Sequence, residues 1–355
     1  MRQAGAPTHF EPGDALPQTG QIITSVERIG RGGNSRVYLV TCAGPEQYAV
    51  KLYPGPSADG RNRLVVEYEA LRFLWDNGAR CIPRPVAADH DNNTGVYEYV
   101  QGVPATMAAL DDGHLAQALD FISNLKRLGG ASGADRLPLA AEACFSMRAL
   151  LDNIKKRLAI LNDVPDEGPE YGLLREFMSE GVGPAFSEIT LRAERRMKAA
   201  GIPPDMDIHS GLRTPSPSDF GFHNAIVRPD GTLAFIDFEY FGWDDPVKMI
   251  SDFLLHPAMD LSDGMKRAFT QGALGIFGAD DGIRERLAAM FPLFAVKWVA
   301  IMLNEFVPGH PRKRGFAGAA DNEGDGGLSA RTRQLAKARA LIDDIVKRNG
   351  EFEYF

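Results

Sequence analysis

Ser218-Asp219-Phe220-Gly221-Phe222-His223-Asn224-Ala225-Ile226-Val227 is the stretch on which the reading of this chain turns. Asp219 and Asn224 stand five apart and precede the β-prone run Ala225–Val227. A second such run, Leu233–Ile236, is reached through Arg228-Pro229-Asp230-Gly231. Asp-Gly tolerates the positive φ of a tight turn, so the two runs predict a hairpin. After it comes Ala234-Phe235-Ile236-Asp237-Phe238-Glu239, with Asp237 at a strand's end. A hard cation such as Mg²⁺ takes oxygen ligands and keeps several waters, so one carboxylate, one amide oxygen and phosphate oxygens suffice. Asn224 and Asp237 can supply the first two, which leaves Asp219 to accept the proton of an attacking hydroxyl. Each residue alone reads better as a helix cap or turn-forming side chain. The ordered set points to chemistry.

Working outward toward the N-terminus, Ile29-Gly30-Arg31-Gly32-Gly33-Asn34-Ser35-Arg36-Val37 places small residues where a backbone can approach a ligand. Bare N–H groups in such a turn can cradle phosphate oxygens. A dinucleotide-binding turn would lead into a helix, but the β-prone Val37-Tyr38-Leu39-Val40 follows, and the Gly-Lys-Ser/Thr of a P-loop is absent. What remains is a strand–glycine–strand hairpin covering a nucleotide. Ala49-Val50-Lys51-Leu52 then sets a lysine among apolar neighbours in a strand. A buried lysine needs an anion and an orienting carboxylate. The helical stretch Arg61–Trp75, with Leu64, Tyr68, Leu71 and Leu74 on one face, offers Glu67 and Glu69.

The wider chain gives these motifs their setting. It has 355 residues, 39 Lys+Arg against 47 Asp+Glu, and a formal charge of −8, which argues against a nucleic-acid binder with a broad basic surface. Residues 1–20 read as a loose arm. Short strands and one helix between Ile22 and Val100 predict a small α+β lobe over 21–100. Helices dominate residues 101–355, among them Leu115–Leu128, Cys144–Leu161 and Ser329–Lys347, with Gly309–Gly327 as a Gly- and charge-rich loop. The longest apolar run, Leu287–Leu303, contains Pro292 and Lys297 and reads as a buried helix rather than a membrane span. Three scattered cysteines and no apolar leader suggest a cytoplasmic setting.

The order and spacing of these motifs resemble the protein-kinase-like fold, and more closely the aminoglycoside phosphotransferase and choline kinase group of small-molecule kinases. The resemblance spans roughly Ile22–Asp252. It implies a bilobal α+β fold, with a small antiparallel-sheet N-lobe and a larger, mainly helical C-lobe. It further implies transfer of the γ-phosphoryl group of ATP, or GTP, with Mg²⁺, to a hydroxyl of a small molecule such as a sugar, aminoglycoside or amino alcohol. By motif, Gly30, Gly32 and Ser35 would cover the phosphates, Lys51 would contact them, and Glu67 would pair with Lys51. Glu98 and Val100 would hold the adenine edge at the inter-lobe hinge. Asp219 would be the catalytic base, Asn224 and Asp237 the metal ligands, and Asp252 a buried brace of the catalytic loop. Asp245-Pro246 matches the family's Asp-Pro helix start. One departure is Pro217-Ser218-Asp219 where the family has His-Gly-Asp. The Phe-Gly pair of protein kinases is replaced by Phe238-Glu239, and no Ala-Pro-Glu activation segment follows, which favours a small acceptor over a protein.

For the acceptor, Glu239, Trp243, Asp244, Trp298 and Glu305 are the candidate contacts. Carboxylates would suit a cationic acceptor, and aromatic faces a quaternary amine or a sugar. The competing expectation is a nucleotide-binding, pseudokinase-like regulator with little turnover. The sequence does not specify an oligomeric state.

Overall fold

The computed structural model describes residues 10–29, 35–55, 60–165, 167–278, 282–308 and 329–348. The predicted glycines Gly30 and Gly32, the loop Gly309–Gly327 and the helix stop at Asn349-Gly350 lie outside the described residues.

The first lobe is a five-stranded antiparallel sheet in the order β1-β2-β3-β5-β4, formed by β1 (Ile23–Arg28), β2 (Arg36–Cys42), β3 (Gln47–Leu52), β4 (Pro85–Asp89) and β5 (Thr94–Glu98). Val40, Tyr48, Val50 and Val96 fill one of its faces, as the period-2 alternation of a strand demands. Helix α1 (Arg63–Asp76) crosses between β3 and β4. Asn62 caps it by accepting from Val65 N at 3.1 Å, and Leu64, Leu71 and Leu74 are buried as predicted, with Tyr68 half-buried. The segment expected to be a loose arm folds back on this sheet at residues 13–23. Gly13 N donates to Ile23 O and Leu16 N to Gln21 O, both at 2.8 Å. Leu16 is the apolar side chain that decides it, being buried against the sheet.

The second lobe is mainly helical: α2 (Asp112–Leu128), α3 (Met147–Asn162), α4 (Pro169–Glu176), α5 (Gly183–Ala199), α6 (Pro246–Leu255), α7 (Asp263–Phe277), α8 (Ile283–Met302) and α9 (Ala330–Lys347). A π-helical turn, Phe177–Val182, joins α4 to α5. Short strands complete the lobe. A sheet of three is formed by β6 (Val103–Pro104), β8 (Ala225–Val227) and β9 (Leu233–Phe235), and a ribbon of two by β7 (Thr214–Ser216) and β10 (Gly242–Asp244). The predicted hairpin is β8–β9, and Gly231 in its turn has φ +81°.

Helix α8 is the axis of this lobe, packed by α3, α5, α6 and α9. With the following turn it runs from Ile283 to Phe306, 24 residues long and apolar enough to cross a membrane, with a mean hydropathy of 1.7 over an 18-residue stretch. That stretch is 83% buried inside the protein, so its apolar character is spent on the core. Pro292 sits within the helix, and the buried cations Arg286 and Lys297 each meet a carboxylate, Asp245 and Glu142 respectively.

Candidate active site

Lys51 is the next-to-last residue of β3, the central strand, whose neighbours β2 and β5 leave it nowhere to snorkel. Its ammonium lies 2.7 Å from Glu67 Oε2 and 2.6 Å from Asp237 Oδ1, with Glu239 Oε2 at 3.7 Å. Helix α1 supplies Glu67, the loop after β9 supplies Asp237, and the lysine therefore bridges both lobes. Burial by itself would lower the Lys51 pKa; Asp237 and Glu67 outweigh it and hold it well above its ordinary value. Tyr53 donates to the same Glu67 oxygen at 2.7 Å, and its hydroxyl meets that of Tyr97 at 2.8 Å. Of the two acidic residues left open by the sequence, Glu67 is the one turned inward; Glu69 pairs with Arg72 on the surface.

The Ser218–Asn224 loop folds by alternation. Phe220 and Phe222 are buried, packing against Phe253, while Phe235 and Phe238 flank Phe121 from the hairpin side. Each such ring contributes roughly 1.5–3 kcal/mol of burial, so the polar residues between them are left facing the cleft. Asp219 Oδ1 is met by His223 Nε2 at 3.0 Å and lies 3.7 Å from His256 Nε2. The two imidazoles stack at 3.7 Å between centroids, 3° apart, and Trp298 stands edge-on to His256. Burial pushes the Asp219 carboxyl up, but the His223 hydrogen bond and the neighbouring imidazole charges hold it below its ordinary value. Burial and His223 push His256 down to about 4. At neutral pH His256 is thus uncharged, and the His223 hydrogen bond is the main support of the carboxylate.

Asn224 donates through Nδ2 to the main-chain oxygen of Asp219 at 3.0 Å, which leaves its Oδ1 free to accept or ligate. Ile236 N donates to Asn224 O at 2.9 Å, so the hairpin register sets Asn224 beside Asp237. The side chain of Asp237 is 39% exposed, with one oxygen on Lys51. An amide oxygen and a partly open carboxylate are the hard donors that suit Mg²⁺, and these two residues would hold one. Ser218 and Asp237 both have φ +67°, a left-handed conformation that costs a residue bearing Cβ roughly 1–3 kcal/mol. Two such residues in two adjoining loops mark a site whose geometry is imposed by its surroundings.

Of the remaining predicted residues, Ser35 is buried just ahead of β2, Glu98 ends β5, and Val100 is buried where the chain leaves the sheet. Glu239 is fully buried on Arg63, 2.9 Å away, and belongs to the Lys51 cluster, not to an open acceptor face. Burial first and the Asp237 charge second push its carboxyl up to about 7. Asp244 is fully buried against Lys248 at 2.9 Å, a position that no acceptor reaches. Trp243 donates to Ala134 O at 3.0 Å and stands in the β7–β10 ribbon. Glu305 is buried in the turn after α8, where Arg331 donates to its main-chain oxygen. Trp298 is the one of these that stands close to the Asp219 loop, edge-on to His256 and with its indole donating to Asp252 Oδ1 at 2.9 Å.

Several residues here were not singled out from sequence. Arg63, which ties α1 to Glu239, carried no signal beyond a charge at a helix start. Lys248 carried one: it lies four residues after Asp244 and four before Asp252, on one helix face, and bonds to both. Through Lys248, Asp252 reaches Ser218, whose Oγ is 2.9 Å from the ammonium.

No family model matches the sequence, and no curated protein sequence matches it. Solved structures do match in fold. A choline kinase from Streptococcus pneumoniae aligns over 91% of this chain and 94% of its own, at 15% identity and a TM-score of 0.52. A spectinomycin phosphotransferase solved with ADP and spectinomycin aligns over 91% and 95%, at 13% identity and TM-score 0.57. An aminoglycoside phosphotransferase solved with AMP-PNP and hygromycin B aligns over 94% and 96%, at 15% identity and TM-score 0.56. The chain therefore has the bilobal, protein-kinase-like fold that choline kinase and aminoglycoside phosphotransferase structures share.

Proposed function

We propose that the protein is an ATP-dependent phosphotransferase acting on a hydroxyl of a small molecule. The observation that carries this is the Lys51 ammonium held between Glu67 and Asp237 at 2.7 and 2.6 Å, with Asn224 brought beside Asp237 by the hairpin. That arrangement supports a reading in which Lys51 is a fixed cation, Asn224 and Asp237 a ligand pair and Asp219 a carboxylate base around one cleft. Structures of similar fold carry ADP or AMP-PNP, which supports a nucleotide in that cleft.

Lys51 would neutralise charge on the α- and β-phosphates, and Glu67 keeps it from turning away. A magnesium ion on Asn224 and Asp237 would supply further neutralisation of the phosphate oxygens. Asp219 orients the acceptor hydroxyl and takes its proton as the new O–P bond forms and the bond to the β-phosphate oxygen breaks. A carboxylate held below its ordinary pKa is a weak base, so positioning outweighs proton abstraction in its contribution. The fully occupied Glu67–Lys51–Asp237 bridge favours turnover over a purely regulatory nucleotide binder. A sugar, aminoglycoside or amino alcohol would reach Asp219 from the side of Trp298 and His256.

The test is ADP release by the purified protein with ATP, Mg²⁺ and a panel of hydroxylated metabolites. Acceptor-dependent release that requires Mg²⁺ is expected. Nucleotide binding without any such release would move the reading to a regulator.

A further inference from the structure

We propose that Lys248 is a positioning residue for Asp219, acting through the hydroxyl of Ser218. The proposal rests on the phosphotransfer reading above. Lys248 is 2% exposed on α6, and its ammonium has three hydrogens to place. All three have acceptors: Ser218 Oγ at 2.9 Å, Asp244 Oδ2 at 2.9 Å and Asp252 Oδ2 at 3.0 Å. Each carboxylate is in turn fixed at its other oxygen. Asp244 Oδ1 accepts from Asp245 N, and Asp252 Oδ1 from Trp298 Nε1, both at 2.9 Å. The ammonium therefore has no second position to adopt.

Ser218 is held as tightly. Its Oγ accepts from Lys248 and donates to Ala141 O at 3.0 Å, while its N–H donates to Ser216 Oγ at 3.0 Å. This doubly anchored residue is the one whose backbone sits at φ +67°, directly before Asp219. Such a conformation persists only where the surroundings over-determine it. If it relaxed, the Cα–Cβ direction of Asp219 would change with it. A lysine needed only to neutralise Asp244 and Asp252 would have no use for the serine hydroxyl. The bond to Ser218 is what connects a buried ion cluster to the catalytic loop.

Ser218→Ala tests this without stranding a charge, since Lys248 keeps both carboxylates. Lys248→Met would leave two buried carboxylates without their cation and is strongly destabilising; Lys248→Arg keeps the charge and alters the reach. The full-length protein is assayed with Mg²⁺ and ATP, with water as acceptor and phosphate release as readout. ADP affinity and hydrogen exchange of amides 216–222 are measured alongside. In Ser218→Ala, kcat should fall roughly 10–100-fold, the cost of a displacement on the order of 1 Å. KM for ATP and ADP affinity should stay within about twofold, because Lys51 and Asp237 are untouched. Exchange over 216–222 should quicken while that of α8 does not. Lys248→Arg should fall between. Wild-type turnover in Ser218→Ala, or an equal loss of kcat and ADP affinity, would overturn the proposal. Should the wild type release no phosphate to water, exchange alone decides: quickened exchange over 216–222 in Ser218→Ala supports the anchor and unchanged exchange overturns it, while only failure of the acceptor panel above would count against phosphotransfer itself.

Discussion

Asp219 is the residue whose replacement separates chemistry from binding. It touches no group that holds Lys51, so Asp219→Asn should retain ADP affinity while acceptor-dependent turnover falls roughly 10²–10⁴-fold. A parallel loss of ADP affinity, read by calorimetry, would count against that assignment. Lys51→Met should do the reverse in part. It removes the cation from three buried or half-buried carboxylates and leaves Glu67 and Asp237 repelling each other. Breaking a buried pair in this way costs about 3–5 kcal/mol, so both nucleotide affinity and the urea midpoint should drop. Glu239, beside them, is Arg63's partner and would contribute to the same loss.

At the scale of elements, α6 carries the site from below. Its N-cap Asp245 accepts from Val247 N at 2.8 Å with one oxygen and holds the buried Arg286 of α8 with the other. Asp245→Ala removes a cap worth about 1 kcal/mol and takes a carboxylate away from the buried Arg286 guanidinium. The expected loss is about 3 kcal/mol or more in urea denaturation, and Asp245→Asn, which keeps the cap, should lose less. Equal losses in the two variants would place the weight on the ion pair alone. The hairpin β8–β9 plays the matching role from the other side, since its register sets Asn224 opposite Ile236. A one-residue slip would take Asn224 out of its place beside Asp237.

For the whole molecule, stability should follow pH through His256. Its folded pKa is pushed down to about 4 from an ordinary 6.5. The unfolded chain therefore binds a proton between those values that the folded chain does not. The associated stability is full above about 6.5 and is lost as pH falls through about 4, by about 3 kcal/mol at most. Urea midpoints at pH 7, 5.5 and 4.5 should decline more steeply in the wild type than in His256→Gln. Buried Asp245, raised to about 6, works in the opposite direction over the same range, so the difference between the two proteins is the quantity to read. Nucleotide that bridges the lobes should also stabilise them together, by about 2.7 kcal/mol at 100 times Kd. ADP should raise the melting temperature of the wild type and not that of Lys51→Met.

Much of this site is legible along the chain because it rests on local rules. Asp-Gly forces the turn that makes the β8–β9 hairpin, an apolar face at helical spacing makes α1, and Asp245-Pro246 starts α6. With β3, which carries Lys51, those elements hold Lys51, Glu67, Asn224 and Asp237 at recognisable spacings. Only the tertiary structure decided which carboxylates face which cations. Glu239 and Asp244, readable as acceptor contacts, are consumed by Arg63 and Lys248, residues 176 and 4 positions away in the chain. It also decided that Leu16 pins the expected arm, that Ser218 stands in the left-handed region, and that His223 and His256 stack on each other beside Asp219. Turns and caps are settled by neighbours within a few residues. Ion pairing and burial are settled by which distant segments exclude water together, and that depends on the assembled core.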